Sequence, residues 1–204
     1  MKQLLPQLPP PAAQRGFSLI AVMIIMVIVS LLGVGASQLV LLGERSARYD
    51  RDFQIAYQAA EAALMDAEFD IRGPNNAPAP KNRTAEFSSS SVLGFFDNCG
   101  TTQVDRGLCF PSVGTKPVYY TVDFLDKSAT SPSVEFGEFT DRKYPVVTVQ
   151  ANSARLPRYI IEAIPDMTPG YGTRTPRVLH RVTAMGFGPS EQTQAVLQMV
   201  FRKE

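Results

Sequence analysis

The sequence has no tryptophan, one histidine (His180) and two cysteines (Cys99 and Cys109) among its 204 residues. That leaves a thin inventory for catalysis, because the commonest general base and the commonest metal ligand occurs once. Two cysteines and one distant histidine do not complete a four-ligand zinc shell. Charge of one sign is also lacking: 20 Lys and Arg face 19 Asp and Glu. No bulk field therefore points to nucleic acid or to an acidic substrate. No proline stands between Pro11 and Pro74, so nothing hard breaks a helix over that range. Most telling, no charged residue occurs from Phe17 to Leu42.

What is there is FSLIAVMIIMVIVSLLGVGASQLVLL, between Arg15-Gly16 and Glu44-Arg45. As a helix it would be about 39 Å long, enough to cross a hydrocarbon core of about 30 Å. Ser18, Ser30, Ser37 and Gln38 are tolerable there, because a hydroxyl can bond back to a carbonyl one turn earlier. Gly33-Val34-Gly35 lies inside the apolar run and lacks the third glycine of a dinucleotide loop, so it reads as room for close helix packing. Residues 1–16, MKQLLPQLPPPAAQRG, hold four prolines and only two charges, Lys2 and Arg15. A secretory signal has a shorter apolar core and an Ala-x-Ala-like cut. This core is too long, and the nearest candidate cut, Gly35-Ala36-Ser37, falls within it. The basic flank predicts a cytoplasmic N-terminus, weakly, since Arg45, Arg48 and Arg51 follow on the other side.

Beyond the stem, residues 44–72 place Phe53, Ala56, Tyr57, Ala60, Leu64, Ala67 and Ile71 at three- and four-residue steps, one apolar stripe. Glu44–Arg48, Arg48–Asp52 and Glu68–Arg72 can pair on the wet side, and Gly73-Pro74 ends the helix. Residues 73–117 are loop-rich. PNNAPAP and Ser88 to Ser91 are turn chemistry, and Val92 to Phe96 predicts a short element on the core. Cys99 and Cys109 bracket the turn-rich NCGTTQVDRGLCF. A bridge there would constrain the unfolded chain by about 2–3 kcal/mol; the other reading is two unpaired thiols. A membrane stem favours the bridge, because disulfides persist outside the cytosol. From 118 onward strand signals dominate, in Val118 to Leu125, Val146 to Ala151, Arg158 to Ile164, Val178 to Gly186 and Thr193 to Phe201. Gly188 to Glu191 joins the last two as a hairpin. The expected fold is α+β: a long N-terminal helix, half membrane and half amphipathic, packed on a C-terminal antiparallel β-sheet.

Arg15-Gly16-Phe17-Ser18-Leu19-Ile20, followed by the unbroken apolar run, resembles the class III signal of type IV pilins and pseudopilins. The resemblance implies a cut by prepilin peptidase between Gly16 and Phe17, and N-methylation of Phe17. It places Ala21 where most members carry a glutamate. A carboxylate in hydrocarbon needs a partner; in the family it pairs with the terminal amine of the neighbour above. A subunit with none above has no use for it, so Ala21 predicts a subunit that starts or tips the filament. Asp52-Phe53, then Ala56-Tyr57-Gln58-Ala59-Ala60-Glu61-Ala62-Ala63-Leu64 and Asp66-Ala67-Glu68, resemble the PilX-type minor pilins, which also tend to lack that glutamate. Arg158 to Glu162, His180 to Ala184 with Gly186 and Gly188, and Val196-Leu197-Gln198 extend the likeness toward the C-terminus.

The resemblance implies a non-enzymatic minor pilin without cofactor. Its organisation would be leader 1–16, membrane and filament-core half 17–43, amphipathic half 44–72, variable loops 73–117 and sheet region 118–204. It would span the bacterial inner membrane once with its body in the periplasm, then enter the extracellular pilus. Its partners would be other minor pilins and the major pilin through the N-terminal helix, prepilin peptidase, and a large tip adhesin. Motility, adhesion and DNA uptake would follow, with no direct sign of nucleic-acid contact. The rivals are a tip pseudopilin of a type II secretion system, which calls for an inserted subdomain, and a single-pass periplasmic binding or receptor protein, which predicts no cut at Gly16. A hydrolase is the poorest reading. His180 lies in a strand, and the serine run lacks a G-x-S-x-G setting. Arg155, Arg158, Arg174, Arg177 and Arg181 read as a salt-bridged face before a DNA-binding one. Asp123, Asp126, Glu138 and Asp141 do not match a calcium-loop spacing.

Overall fold

The computed structural model describes residues 17–111, 116–145, 153–167 and 177–203. One helix, α1, runs Phe17–Arg72. Among the described residues five strands follow: β1 Leu108–Cys109, β2 Val134–Glu135, β3 Arg158–Pro165, β4 Val178–Phe187 and β5 Gln194–Phe201. Two compact units divide in sequence after Arg48.

The helix ends where the sequence predicts. Gly73 takes a left-handed conformation (φ 79°) and donates its N–H to the Phe69 carbonyl at 3.0 Å, a capping geometry that glycine reaches without steric cost. On the wet side Arg72 donates to Glu68 at 2.9 Å, while Asp52 meets Arg51 at 3.4 Å.

In the second unit the sheet order is β1-β3-β4-β5, with β2 also paired to β3. The β2–β3, β3–β4 and β4–β5 pairings are antiparallel. The two-residue β1 adds one parallel pairing, Leu108 opposite Ile161. The β4–β5 hairpin closes with Gly188 N–H on the Thr193 carbonyl at 2.8 Å and Thr193 N–H on Ser190 at 3.0 Å. Along β5, Ala195 and Phe201 are buried and Leu197 and Met199 half-buried, while Val196, Gln198 and Val200 face out, the alternation expected of a one-sided strand.

β3 is buried on both faces. Tyr159 and Ile161 join a core with Ala63, Ala67 and Ile71 of the helix, whereas Ile160 joins a second cluster with Cys99, Cys109, Val118 and Phe124. Successive strand residues point to opposite faces, so one face lies under the helix and the other under the cysteine-bearing loops. That is why β3 carries Tyr159-Ile160-Ile161 as consecutive apolar residues instead of alternating ones.

The buried face of α1 is narrower than the stripe in the sequence. Ala56, Ala59, Ala60, Ala63, Ala67 and Ile71 are fully buried, but Phe53 and Tyr57 are about two-fifths exposed, at 39 and 38%. The cause is the closeness of β4. A Cβ built on Gly186 would stand 2.1 Å from the Ala56 oxygen and 2.2 Å from the Ala60 nitrogen. Only a seam of alanines against glycine lets helix and strand approach so near, and the large aromatics turn aside.

Two strand expectations need correction or fall elsewhere. Val118 to Leu125 is not a strand. It forms a 3-10 turn at Val118–Tyr120 and further turns. Thr121 Oγ1 donates to the Val118 carbonyl at 2.7 Å and Asp123 Oδ1 accepts from Leu125 N–H at 2.8 Å. Such side-chain bonds to the local backbone compete with a sheet ladder, and Val118 and Phe124 are buried by the turns themselves. The expectation for Val146 to Ala151 lies outside the described residues.

Candidate functional site

The first candidate site is the stem. From Leu19 to Leu42 its large apolar side chains are 50 to 71% exposed. Exposed apolar area on this scale is what a surface meant for lipid or for other helices looks like. The polar groups of the stem are satisfied within it. Ser30 Oγ donates to the Met26 carbonyl at 2.7 Å and Ser37 Oγ to the Gly33 carbonyl at 2.9 Å. By length and composition this is the one candidate membrane span among the described residues. Gly16 lies outside the described residues. Phe17 is the first residue of α1, and Ala21 sits one turn in. Nothing charged stands in that first turn.

The second candidate is a buried polar cluster at the far end of the helix. Asp66 and Asp70, one turn apart and both fully buried, interrupt the alanine face. Arg83 holds Asp70 as a fork, with Nε at 3.1 Å from both carboxylate oxygens and Nη2 at 2.7 Å from Oδ2. Tyr159 OH donates to the same Oδ2 at 3.0 Å. Arg83 also donates to the Arg106 carbonyl at 2.6 Å and lies over the Phe139 ring at 3.5 Å. Burial by itself would lower the Arg83 pKa, but the Asp70 charge and its hydrogen bonds raise it. Burial, then Asp70, push the Tyr159 phenol well above its usual value. Asp66 accepts from Thr140 Oγ1 at 2.5 Å and Gly137 N–H at 2.7 Å; burial nonetheless leaves its pKa raised. With every oxygen engaged, the cluster is an anchor joining helix, loop and sheet. Sequence reasoning passed over it. The signal was there: two carboxylates at i and i+4, each three residues from a buried alanine, Ala63 and Ala67.

Cys99 and Cys109 form a disulfide. Gly107 N–H donates to the Cys99 carbonyl at 2.7 Å and Thr102 N–H to Asp105 Oδ1 at 2.7 Å, so the loop is ordered from within. Of the predicted Val92 to Phe96 element, Phe95 is buried, while Leu93 and Phe96 stay exposed.

His180 is fully buried, and neither ring nitrogen has a hydrogen-bond partner. It packs on Phe87 at 5.5 Å and Phe95 at 5.9 Å between ring centroids. Burial first, then Lys203, lower its pKa to about 4. This is a neutral imidazole packed against aromatic rings.

Of the arginines suggested by sequence, Arg155, Arg158 and Arg181 are engaged one by one. Arg181 clamps the buried Glu162 with two bonds of 2.9 Å, Arg155 lies over Phe187, Arg158 is buried, and Arg174 falls outside the described residues. The acids are likewise spent locally. Asp123 and Asp126 cap turns, Glu138 takes Arg106 at 2.7 Å, and Asp141 faces Lys81 at 3.8 Å.

Residues 73–203 match the family described as type IV pilus assembly protein PilX C-term, and residues 15–64 match the family described as PilX N-terminal. No curated protein and no solved structure matches.

Proposed function

Because the chain belongs to the PilX family of type IV pilus assembly proteins, we propose that it is a minor pilin that helps to start the filament or stands at its tip. The observation that supports this reading is the stem: an apolar helix exposed on all sides and preceded by Arg15-Gly16. On this reading residues 1–16 are a leader, prepilin peptidase cuts between Gly16 and Phe17, and Phe17 is N-methylated. Residues 17–43 anchor the precursor in the inner membrane with the body in the periplasm. They then leave lipid and pack among the stems of other minor pilins and the major pilin. Lipid is as apolar as the helices, so the gain on assembly is close packing rather than exclusion of water. Gly33 and Gly35 have nothing within 4 Å of a built Cβ and offer notches for a neighbour's close approach. The back-bonded Ser30 and Ser37 carry no unmet hydroxyl into either surrounding.

Ala21 supports the finer placement. A neutral fifth mature residue costs nothing in hydrocarbon and asks for no amine above it, which suits a subunit with no neighbour on that side, next to other minor pilins and a tip adhesin. Mass spectrometry of the mature N-terminus from membranes tests the class: methyl-Phe17 is expected, and an intact Met1 in cells with active prepilin peptidase would overturn it. Placement is tested by complementation. Ala21→Glu is expected to restore piliation incompletely in a deletion strain, and full restoration, or labelled protein spread along the shaft, would remove the tip assignment.

A further inference from the structure

On the body, an open polar cleft of about 370 Å³ is lined by three arginines, Arg106, Arg142 and Arg158, and two glutamates, Glu135 and Glu138. Arg106 gives Nη1 to Glu138 at 2.7 Å and Nη2 to the Ala129 carbonyl, but its buried Nε has no partner. Arg158 is 4% exposed. Its Nη1 serves the Asp126 carbonyl and Ser131 Oγ. Its Nη2 lies 3.7 Å from Glu135, too far for a hydrogen bond. Its Nε is unpaired. Nε and Nη2 together form the side-on edge of a guanidinium, the edge that takes a carboxylate with two parallel bonds. In Arg158 that edge is unfilled. Buried donors are rarely left so. Arg142 is 3.9 Å from Asp66 and lies against the Phe69 ring at 4.1 Å, with its head 37% exposed.

We propose that this cleft binds one carboxylate of an acidic protein segment, taken side-on by Arg158 and flanked by Arg106 and Arg142. The charges favour one carboxylate over a phosphate dianion. Three cations against two resident glutamates leave a single positive charge, and both glutamates would repel a second negative one. Glu135, half-exposed and just beyond bonding distance of the open edge, is a tethered competitor that the incoming group displaces. Burial lowers the Arg158 pKa; Glu135 and Glu138 offset part of that, and Arg155 and Arg106 lower it again. That the carboxylate belongs to a protein rests on the reading of the chain as a pilus subunit; capture of the carboxylate itself does not.

The test is an NMR titration of arginine Nε–H signals of the full-length protein in detergent micelles, with acetate, inorganic phosphate and chloride at constant ionic strength. A saturable shift of the Arg158 and Arg106 signals with acetate is expected, tighter than with phosphate and absent with chloride. Arg158→Lys keeps the charge but loses the two-pronged edge and should weaken acetate about tenfold or more. Glu135→Gln removes the competitor and should tighten it several-fold, which keeps the site testable if Arg158→Lys does not fold. Equal linear responses to all three anions, or saturation by phosphate alone, would overturn the proposal. Saturation by acetate in a protein whose N-terminus proves uncleaved would uphold the carboxylate site while removing its assignment to a pilus partner.

Discussion

Within the helix Phe17–Arg72 two stretches solve opposite problems. From Leu19 to Leu42 the side chains are large, apolar and exposed all round. From Ala56 to Ile71 the inward face is mostly alanine, and the sheet comes so close that Gly186 has no room for a methyl group. The first stretch offers area to any apolar surrounding and commits to no single neighbour. The second commits to one neighbour at one distance and gains close contact instead of area. Bulk suits a helix that must exchange one environment for another, whereas smallness suits a helix that must stay where it is.

Perturbing the committed half hard enough should show where its specificity resides. The largest effect is expected from Arg83→Ala, which leaves the buried Asp70 carboxyl group short of its main partner. A loss of about 3–5 kcal/mol is expected, read as a fall in the thermal midpoint of the full-length protein in micelles. An unchanged midpoint would mean that the polar anchor does not hold the helix end. Next comes Gly186→Ala. Its Cβ would stand within 2.2 Å of helix backbone atoms, and backbone cannot step aside as a side chain can. A loss of about 3 kcal/mol is expected from overpacking. Replacing both cysteines by serine should cost about 2–3 kcal/mol by freeing the loop between Cys99 and Cys109 in the unfolded chain. The melting transition is expected to fall to the same degree in reductant.

Acid gives a gentler probe. The folded protein holds His180 neutral, with a pKa of about 4 against about 6.5 in the unfolded chain. Between those values the unfolded state binds the extra proton. Stability is therefore whole above pH 6.5 and falls by about 1 kcal/mol per unit as pH drops toward 4. Asp66, whose pKa is raised, acts in the opposite sense at the acid end, so the informative quantity is the difference between wild type and His180→Leu across denaturant melts. A pH-independent difference would show that His180 does not carry the acid sensitivity. The smallest effect should come from Gly33→Ala in the stem. A methyl group there meets nothing within 4 Å, and alanine improves helix propensity by about 1 kcal/mol locally. The thermal midpoint of the body should not move, and any defect should appear only in piliation. A body destabilised by this change would erase the contrast between the two stretches.

The elements that were legible in the sequence owe their clarity to long, regular patterns. The stem is a charge-free run, β3 and β4 are rich in β-branched and aromatic residues, β5 alternates, and Gly73-Pro74 is an unambiguous stop. The misreadings came where short-range chemistry outweighed pattern. Val118 to Leu125 has strand composition, yet Thr121 and Asp123 bind their own backbone and turn it. β1 and β2 are two residues each, too short for periodicity to register. Phe53 and Tyr57 fit the helical stripe by spacing, but spacing carries no information about how close the partner will come. Asp66 and Asp70 were invisible as core residues because a carboxylate is normally an outside residue; only the arrival of Arg83, Thr140 and Tyr159 from distant segments makes them otherwise. The cleft around Arg158 likewise draws on residues spread from Arg106 to Arg158 that no local pattern connects.

The seam of alanines against Gly186 has one further property, which concerns mutation rather than stability. Most cores fail by subtraction: a side chain is trimmed and a hole appears. Along this seam there is almost nothing left to subtract. Every single-residue change at Gly186, and nearly every one at Ala56, Ala59 or Ala60, adds atoms where no space exists. Drift here is a one-way street toward collision, so this small surface should be the least permissive part of the body, although it contains none of its chemistry.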